Sequence, residues 1–178
     1  MSNKTTMRRI LIDTETTGLS WRFGDRICEV AAVEIDNDYK PVRLVHSYIN
    51  PQRSVPYEVV RIHGLDDRFL SDKPTFNLIA PEFARFVSGA QLIAHNASFD
   101  VGFLNNELSL ASMNTLEDLG CSVLCSLKLA RQTLHMRHNR LDDLCRYFSI
   151  DNSDRQLHGA LKDCMLLAQV LARLERYY

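Results

Sequence analysis

The 178-residue sequence lacks the features that would assign it to an exported, membrane-bound or repetitive class. No apolar stretch of signal-peptide length follows the polar, then basic start from Met1 to Arg9, and no segment reaches the roughly 20 apolar residues of a membrane span. A cytoplasmic protein without membrane contact is the expectation. Its five cysteines, Cys28, Cys121, Cys125, Cys145 and Cys164, are odd in number and form no C-x-x-C pair, which argues against a disulfide framework or a zinc site. They read as reduced core residues. There is also no internal repeat, low-complexity tract or linker, so residues 1–178 are expected to form one domain with 1–7 flexible. A domain of this size buries roughly 70% of its unfolded surface and needs no staple.

Charge of one sign is missing too. A formal net charge of −1 excludes a global pull on nucleic acid, leaving that task to local patches. One candidate is Lys128 to Arg146, where Lys128, Arg131, Arg137, Arg140 and Arg146 are joined by His135 and His138. Taken by itself, this run reads as a solvated helix face.

What is present is an α/β pattern. The first third predicts strands over Arg8 to Asp13, Arg26 to Ile35 and Val42 to Ile49, with a hairpin at Asn37 and Asp38. From Pro74 onward, helices alternate with short apolar strands. Strands are expected at Gln91 to Ala94 and near Ser122 to Cys125. Asn96 is placed to cap a helix from Ala97 to about Leu108, and further helices run to about Thr133, through Leu141 to Phe148, and from Gly159 to about Tyr177. Pro81 is expected to break the Pro74 to Val87 segment into a turn and a helix. The sum is a mixed five-stranded sheet, covered by helices, with a crevice beside the first strand.

Three short segments carry chemistry. In Ile10-Leu11-Ile12-Asp13-Thr14-Glu15-Thr16-Thr17-Gly18-Leu19, a spacing of two puts Asp13 and Glu15 on one face of an extended strand. Two like charges so placed invite a hard divalent cation. In His95-Asn96-Ala97-Ser98-Phe99-Asp100 and again in His158-Gly159-Ala160-Leu161-Lys162-Asp163, a carboxylate falls in the first turn of a helix, where the dipole alone would favour it. Each segment has an ordinary explanation on its own.

Together, and in this order, D-x-E, H-N-x-x-F-D and H-x-A-x-x-D resemble the motifs of the DEDDh (DnaQ-like) 3′-to-5′ exonuclease family. Ile62-His63-Gly64-Leu65, Asp72-Lys73-Pro74-Thr75-Phe76 and Leu157-His158-Gly159-Ala160-Leu161 are similar to the proofreading epsilon-type members that serve bacterial DNA polymerase III. The resemblance runs from about Arg9 to Tyr177. It implies a ribonuclease H-like fold with three antiparallel strands followed by two parallel ones, and an enzyme that hydrolyses DNA from 3′ ends to nucleoside 5′-monophosphates. It further implies two divalent cations, Mg2+ or Mn2+, held by Asp13, Glu15, Asp100 and Asp163, with His158 as general base. Gly159 stands where the tyrosine branch of the family keeps its tyrosine. Glu58, His63, Ile62, Leu19 and Phe99 match segments that approach the terminal nucleotides, although Leu19, Ile62 and Phe99 suit core packing equally well.

The implied substrate is a single-stranded or frayed 3′ end of DNA. RNA trimming by the same constellation, or a binding module that has lost the chemistry, are the alternatives. A DNA polymerase subunit is an expected partner, but the tail that carries this contact in the epsilon-type members is absent from the sequence, which stops at Tyr178. The short Gly18 to Ile27 interval points to a paralogue.

Overall fold

The computed structural model describes residues 7–153 and 157–177; most of the expected flexible start, residues 1–6, lies outside them. Five strands, β1 (Arg9–Thr16), β2 (Ile27–Ile35), β3 (Pro41–Tyr48), β4 (Gln91–Ala94) and β5 (Ser122–Cys125), form one mixed sheet. Their order is β3-β2-β1-β4-β5, with β1, β2 and β3 antiparallel and β4 and β5 parallel to β1. Around the sheet lie α1 (Tyr57–His63), α2 (Asp67–Leu70), α3 (Phe76–Val87), α4 (Ala97–Leu110), α5 (Ser126–Thr133), α6 (Leu141–Tyr147) and α7 (Ala160–Leu174). This is the ribonuclease H-like arrangement expected from the sequence.

Both faces of the sheet are covered, which is why β2 is buried along its whole length and is apolar except for Glu29 and Glu34. Ile10 and Ile12 of β1 enter the core under α3 and α4, alongside the fully buried Phe76, Phe83 and Phe103. Truncating any of these rings to alanine would cost about 3–5 kcal/mol. Leu11, on the other face, packs with the apolar side of α7, including Cys164, Leu167 and Leu171. None of the five cysteines is in a disulfide, and Cys28, Cys145 and Cys164 are buried.

Several expected boundaries move for local reasons. β1 continues past Asp13 to Thr16 because pairing with β2 persists, with Asp13 opposite Ala31 and Glu15 opposite Glu29, so the acidic pair lies inside the strand. The β2–β3 hairpin is built by Asp36, whose carboxylate accepts from the backbone N–H of Asp38 and of Lys40, with Tyr39 left-handed at φ 62°. Pro81 does not break its segment: α3 runs through it. The donor lost at Pro81 would have met the carbonyl of Asn77, both residues lie on the exposed face, and burial of Phe76, Ala80, Phe83, Ala84 and Val87 outweighs one solvated carbonyl. Asn96 makes no side-chain cap; it adopts φ 74°, ψ 48°, a left-handed turn that asparagine tolerates. The final α-helix ends at Leu174 in a 3-10 turn. Residues 134–140 of the basic run are loop rather than helix, since α5 ends at Thr133 and α6 starts at Leu141.

Candidate active site

β1, α4 and α7 meet where β1 runs past its pairing with β4, which ends at Leu11. Asp13 and Glu15 follow Leu11 on the α7 side of β1, and Glu15 is buried. Thr14, between them, faces the other way and donates its hydroxyl to Asp100 Oδ1 at 2.8 Å. Asp100, in the first turn of α4, is thus buried and oriented by the strand that carries the acidic pair. Asp163 sits one turn into α7, also buried, with His158 Nδ1 3.6 Å from its Oδ2. One ligand atom from each of Glu15, His158 and Asp163 lies within 4.8 Å of the others. The His158 backbone N–H donates to the carbonyl of Ile62 at 3.0 Å, joining the segment before α7 to α1.

So much negative charge in one place is visible in the ionisation of the group at its centre. Burial holds the Asp13 carboxyl well above the usual carboxylate range, and Asp100, Asp163, Glu15 and Glu29 push it further the same way. Asp100 is raised to about 7, again chiefly by burial, with the Thr14 hydrogen bond opposing. A cluster of oxygen donors that destabilises its own charged form is the environment a hard divalent cation relieves.

These carboxylates floor a cleft of about 1020 Å³ that is also lined by Leu19, Ile62, Phe99, His95, Arg131, Arg137, His138, Asn139 and Arg140. Leu19 and Ile62 are exposed rather than core residues, whereas Phe99 is partly buried and packs on Phe103 with ring centroids 4.9 Å apart. The Asp25 carboxylate braces the loop that presents Leu19, accepting from Ser20 N at 3.1 Å and Thr17 Oγ1 at 3.2 Å. A Cβ at Gly18 would stand 2.4 Å from Asp25 Oδ2, so a larger residue there would displace the bracing carboxylate.

Two of the expected substrate contacts do not line the cleft. Glu58 is exposed in the first turn of α1. His63 is buried, accepts from Leu65 N–H at Nδ1 (3.0 Å) and places Nε2 3.2 Å from the Thr16 carbonyl. With both ring nitrogens used and burial lowering its pKa, it is a neutral strut between α1 and the end of β1.

The basic run reads differently in three dimensions. Arg131, Arg137 and Arg140 line the same cleft as the carboxylates and give it a basic wall, and among the described residues none of the three is in an ion pair. His95 anchors this wall, with Nε2 2.8 Å from the Asn139 carbonyl and Nδ1 3.0 Å from Ser126 Oγ. Thr14, His95, Asn139 and Glu29 were not singled out as functional residues in the sequence. Thr14 and His95 lie within two of the motifs, which was the available signal; Glu29 and Asn139 carry no local mark.

Residues 10–171 match the protein family described as Exonuclease. The chain is 48% identical over 169 residues to the DNA polymerase III subunit epsilon of Rickettsia conorii, covering 94% of this chain and 74% of that protein. It is 43% identical over 168 residues to the subunit of the same name in Escherichia coli, covering 92% and 69%. Among solved structures, Exonuclease X in complex with 5′ overhanging duplex DNA superposes with a TM-score of 0.73 at 26% identity, covering 94% of this chain and 91% of that one.

Proposed function

The chain belongs to the exonuclease family, and from that membership we propose that it removes nucleotides from the 3′ end of DNA as nucleoside 5′-monophosphates, in a proofreading role like that of the epsilon subunits it is similar to. The observation that carries this reading is the convergence of Asp13, Glu15, Asp100, Asp163 and His158 from three distant segments onto one cleft.

The donor set fits metal. All four carboxylates are hard oxygen ligands, and the raised Asp13 and Asp100 carboxyls mark charge that a cation would neutralise. Asp13, Glu15, Asp100 and Asp163 would hold two divalent cations, Mg2+ or Mn2+. When bound, such ions supply positive charge to the scissile phosphate and lower the pKa of a water.

The remaining work falls to the chain itself. His158, flanked by Asp163, accepts the proton of the attacking water as the P–O3′ bond breaks and the departing 3′ oxygen is protonated. Thr14 keeps Asp100 in place through its hydroxyl. Leu19 and Ile62 offer apolar surface to the last bases, and Phe99 supports the sugar side. Arg131, Arg137 and Arg140 balance the acidic floor for a polyanionic strand. Glu58 and His63 act from outside the cleft, His63 by fixing α1. Among the described residues no helix is long and apolar enough to cross a membrane; a cytoplasmic setting beside a DNA polymerase fits the relatives.

Incubation of the chain with a 5′-labelled single-stranded DNA oligonucleotide and Mg2+ should give stepwise shortening from the 3′ end. Absence of nucleoside monophosphate from both DNA and a matched RNA, with Mg2+ or Mn2+, would overturn the reading. Faster hydrolysis of the RNA would replace it with RNA trimming.

A further inference from the structure

Glu29 belongs to none of the three motifs, yet it is 3% exposed beside the acidic cluster. It sits opposite Glu15 in the β1–β2 ladder and adds to the charge that raises Asp13. A small neutral residue would pack there without that repulsion, so the carboxylate needs a reason. The other deeply buried glutamate, Glu107, has an ordinary one: Arg26 grips both its oxygens at 2.8 Å. Among the described residues, no lysine or arginine pairs with Glu29.

Its two oxygens are used otherwise. Oε2 accepts the backbone N–H of Ala160 at 3.1 Å, and Oε1 lies 2.8 Å from His46 Nε2 on β3. Ala160 is the first residue of α7, completely buried, and its N-cap is Gly159, which has no side chain with which to cap. A strand carboxylate thus does the capping from outside the helix, at the positive end of the dipole. Ala160 and Asp163 share one face of α7, and His158 lies two residues before Ala160. We propose that Glu29, steadied by His46, is a positioning residue that fixes the start of α7, and thereby Asp163 and His158, against the β1 carboxylates.

The inference rests on the exonuclease reading, so its test uses the full chain and the p-nitrophenyl ester of thymidine 5′-monophosphate with Mg2+. A misplacement of about 1 Å can cost on the order of 100-fold, so Glu29→Ala is expected to lower kcat by about tenfold or more with KM changed less than about twofold. Glu29→Gln keeps an acceptor for Ala160 and should recover most of kcat. A purely structural role predicts normal kcat well below the melting temperature. Full kcat in folded Glu29→Ala overturns the proposal, as does Glu29→Gln being as impaired as Glu29→Ala, which would make the charge itself the requirement. Should Glu29→Ala not fold, His46→Ala carries the test: it leaves the Ala160 contact but lets the carboxylate turn, so kcat should fall by a smaller factor, and unchanged kcat overturns the proposal. Wild-type chain inactive on both ester and DNA would instead sink the exonuclease reading.

Discussion

Asp13, Glu15, Asp100 and Asp163 stand on a central strand and two core helices, whereas Arg137, His138, Asn139 and Arg140, which line the same cleft, stand on a loop between α5 and α6. The acidic wall is tied by ladder pairing, by the Thr14–Asp100 hydrogen bond and by burial of three of its four carboxylates. The loop is tied by fewer contacts, chiefly His95 to the Asn139 carbonyl and Asn139 Nδ2 to the Met136 carbonyl. Groups that must meet a reacting phosphorus need placement to a fraction of an ångström, and rigid elements provide it. Groups that hold a flexible polyanion act through longer-range charge and tolerate a looser mount.

The comparison breaks first, and most severely, on the acidic side. His158→Ala should lower kcat on single-stranded DNA by about 10²–10⁴-fold, the usual worth of a general base, with the strand's KM little changed. Asp13→Asn should be at least as inactive, yet its melting temperature in EDTA should exceed that of wild type, because it removes a carboxylate that burial and four like neighbours disfavour. An EDTA melting temperature below wild type would show that the wall is not under electrostatic strain.

The same strain gives a pH dependence of definite sign. A carboxyl raised to about 7, as in Asp100, is more protonated in the folded than in the unfolded chain between the ordinary aspartate range and pH 7. Without metal, that group's contribution to stability therefore declines as pH rises through this window. Melting in EDTA should be higher at pH 6 than at pH 8, and the increase on adding Mg2+ or Mn2+ should be larger at pH 8. Equal metal shifts at both pH values would argue against cation binding by these carboxylates.

On the basic side the effects should be smaller and salt-dependent. Arg137→Gln and Arg140→Gln should weaken binding of single-stranded DNA and flatten its dependence on salt, each by about 0.7 in the log–log slope if the guanidinium meets one phosphate. Titrations at several salt concentrations in EDTA would read this directly. An unchanged slope would return both residues to the solvated surface that the sequence suggested.

The two walls also differ in how far the sequence revealed them. The acidic wall was legible through the order of its three motifs and the resemblance they carry: periodicity puts the D-x-E pair on one strand face, but that Asp100, Asp163 and His158 join it was what the resemblance implied. Periodicity gave the succession of strands and helices along the chain, and the resemblance implied how the strands are arranged in the sheet. Pro81 stays inside α3 because burial of that helix's apolar face outweighs proline's propensity, and Asn96 turns the chain with its backbone rather than its side chain. His63 lay in a well-matched segment, but a sequence does not disclose that both its ring nitrogens are spent on backbone groups. The basic wall was opaque for a different reason. A loop has no periodicity, so nothing local said that Arg137, His138, Asn139 and Arg140 line the same cleft as the carboxylates.

The mildest test acts on the anchor of that loop. Ser126 Oγ lies 3.0 Å from His95 Nδ1 and 3.3 Å from the Ala94 carbonyl, so it connects the end of β4 to the ring that holds Asn139. Ser126→Ala removes these contacts without adding volume, at a cost of about 1 kcal/mol for a buried hydrogen bond. If the two walls are independent in rigidity, amide exchange should quicken over residues 134–140 while the first turn of α7 keeps its protection. Affinity for single-stranded DNA should then fall more than kcat on the thymidine ester, because a loosened loop holds its arginines over the strand for less of the time. Faster exchange in both regions would mean that His95 braces the acidic wall as well, and that the cleft moves as one body.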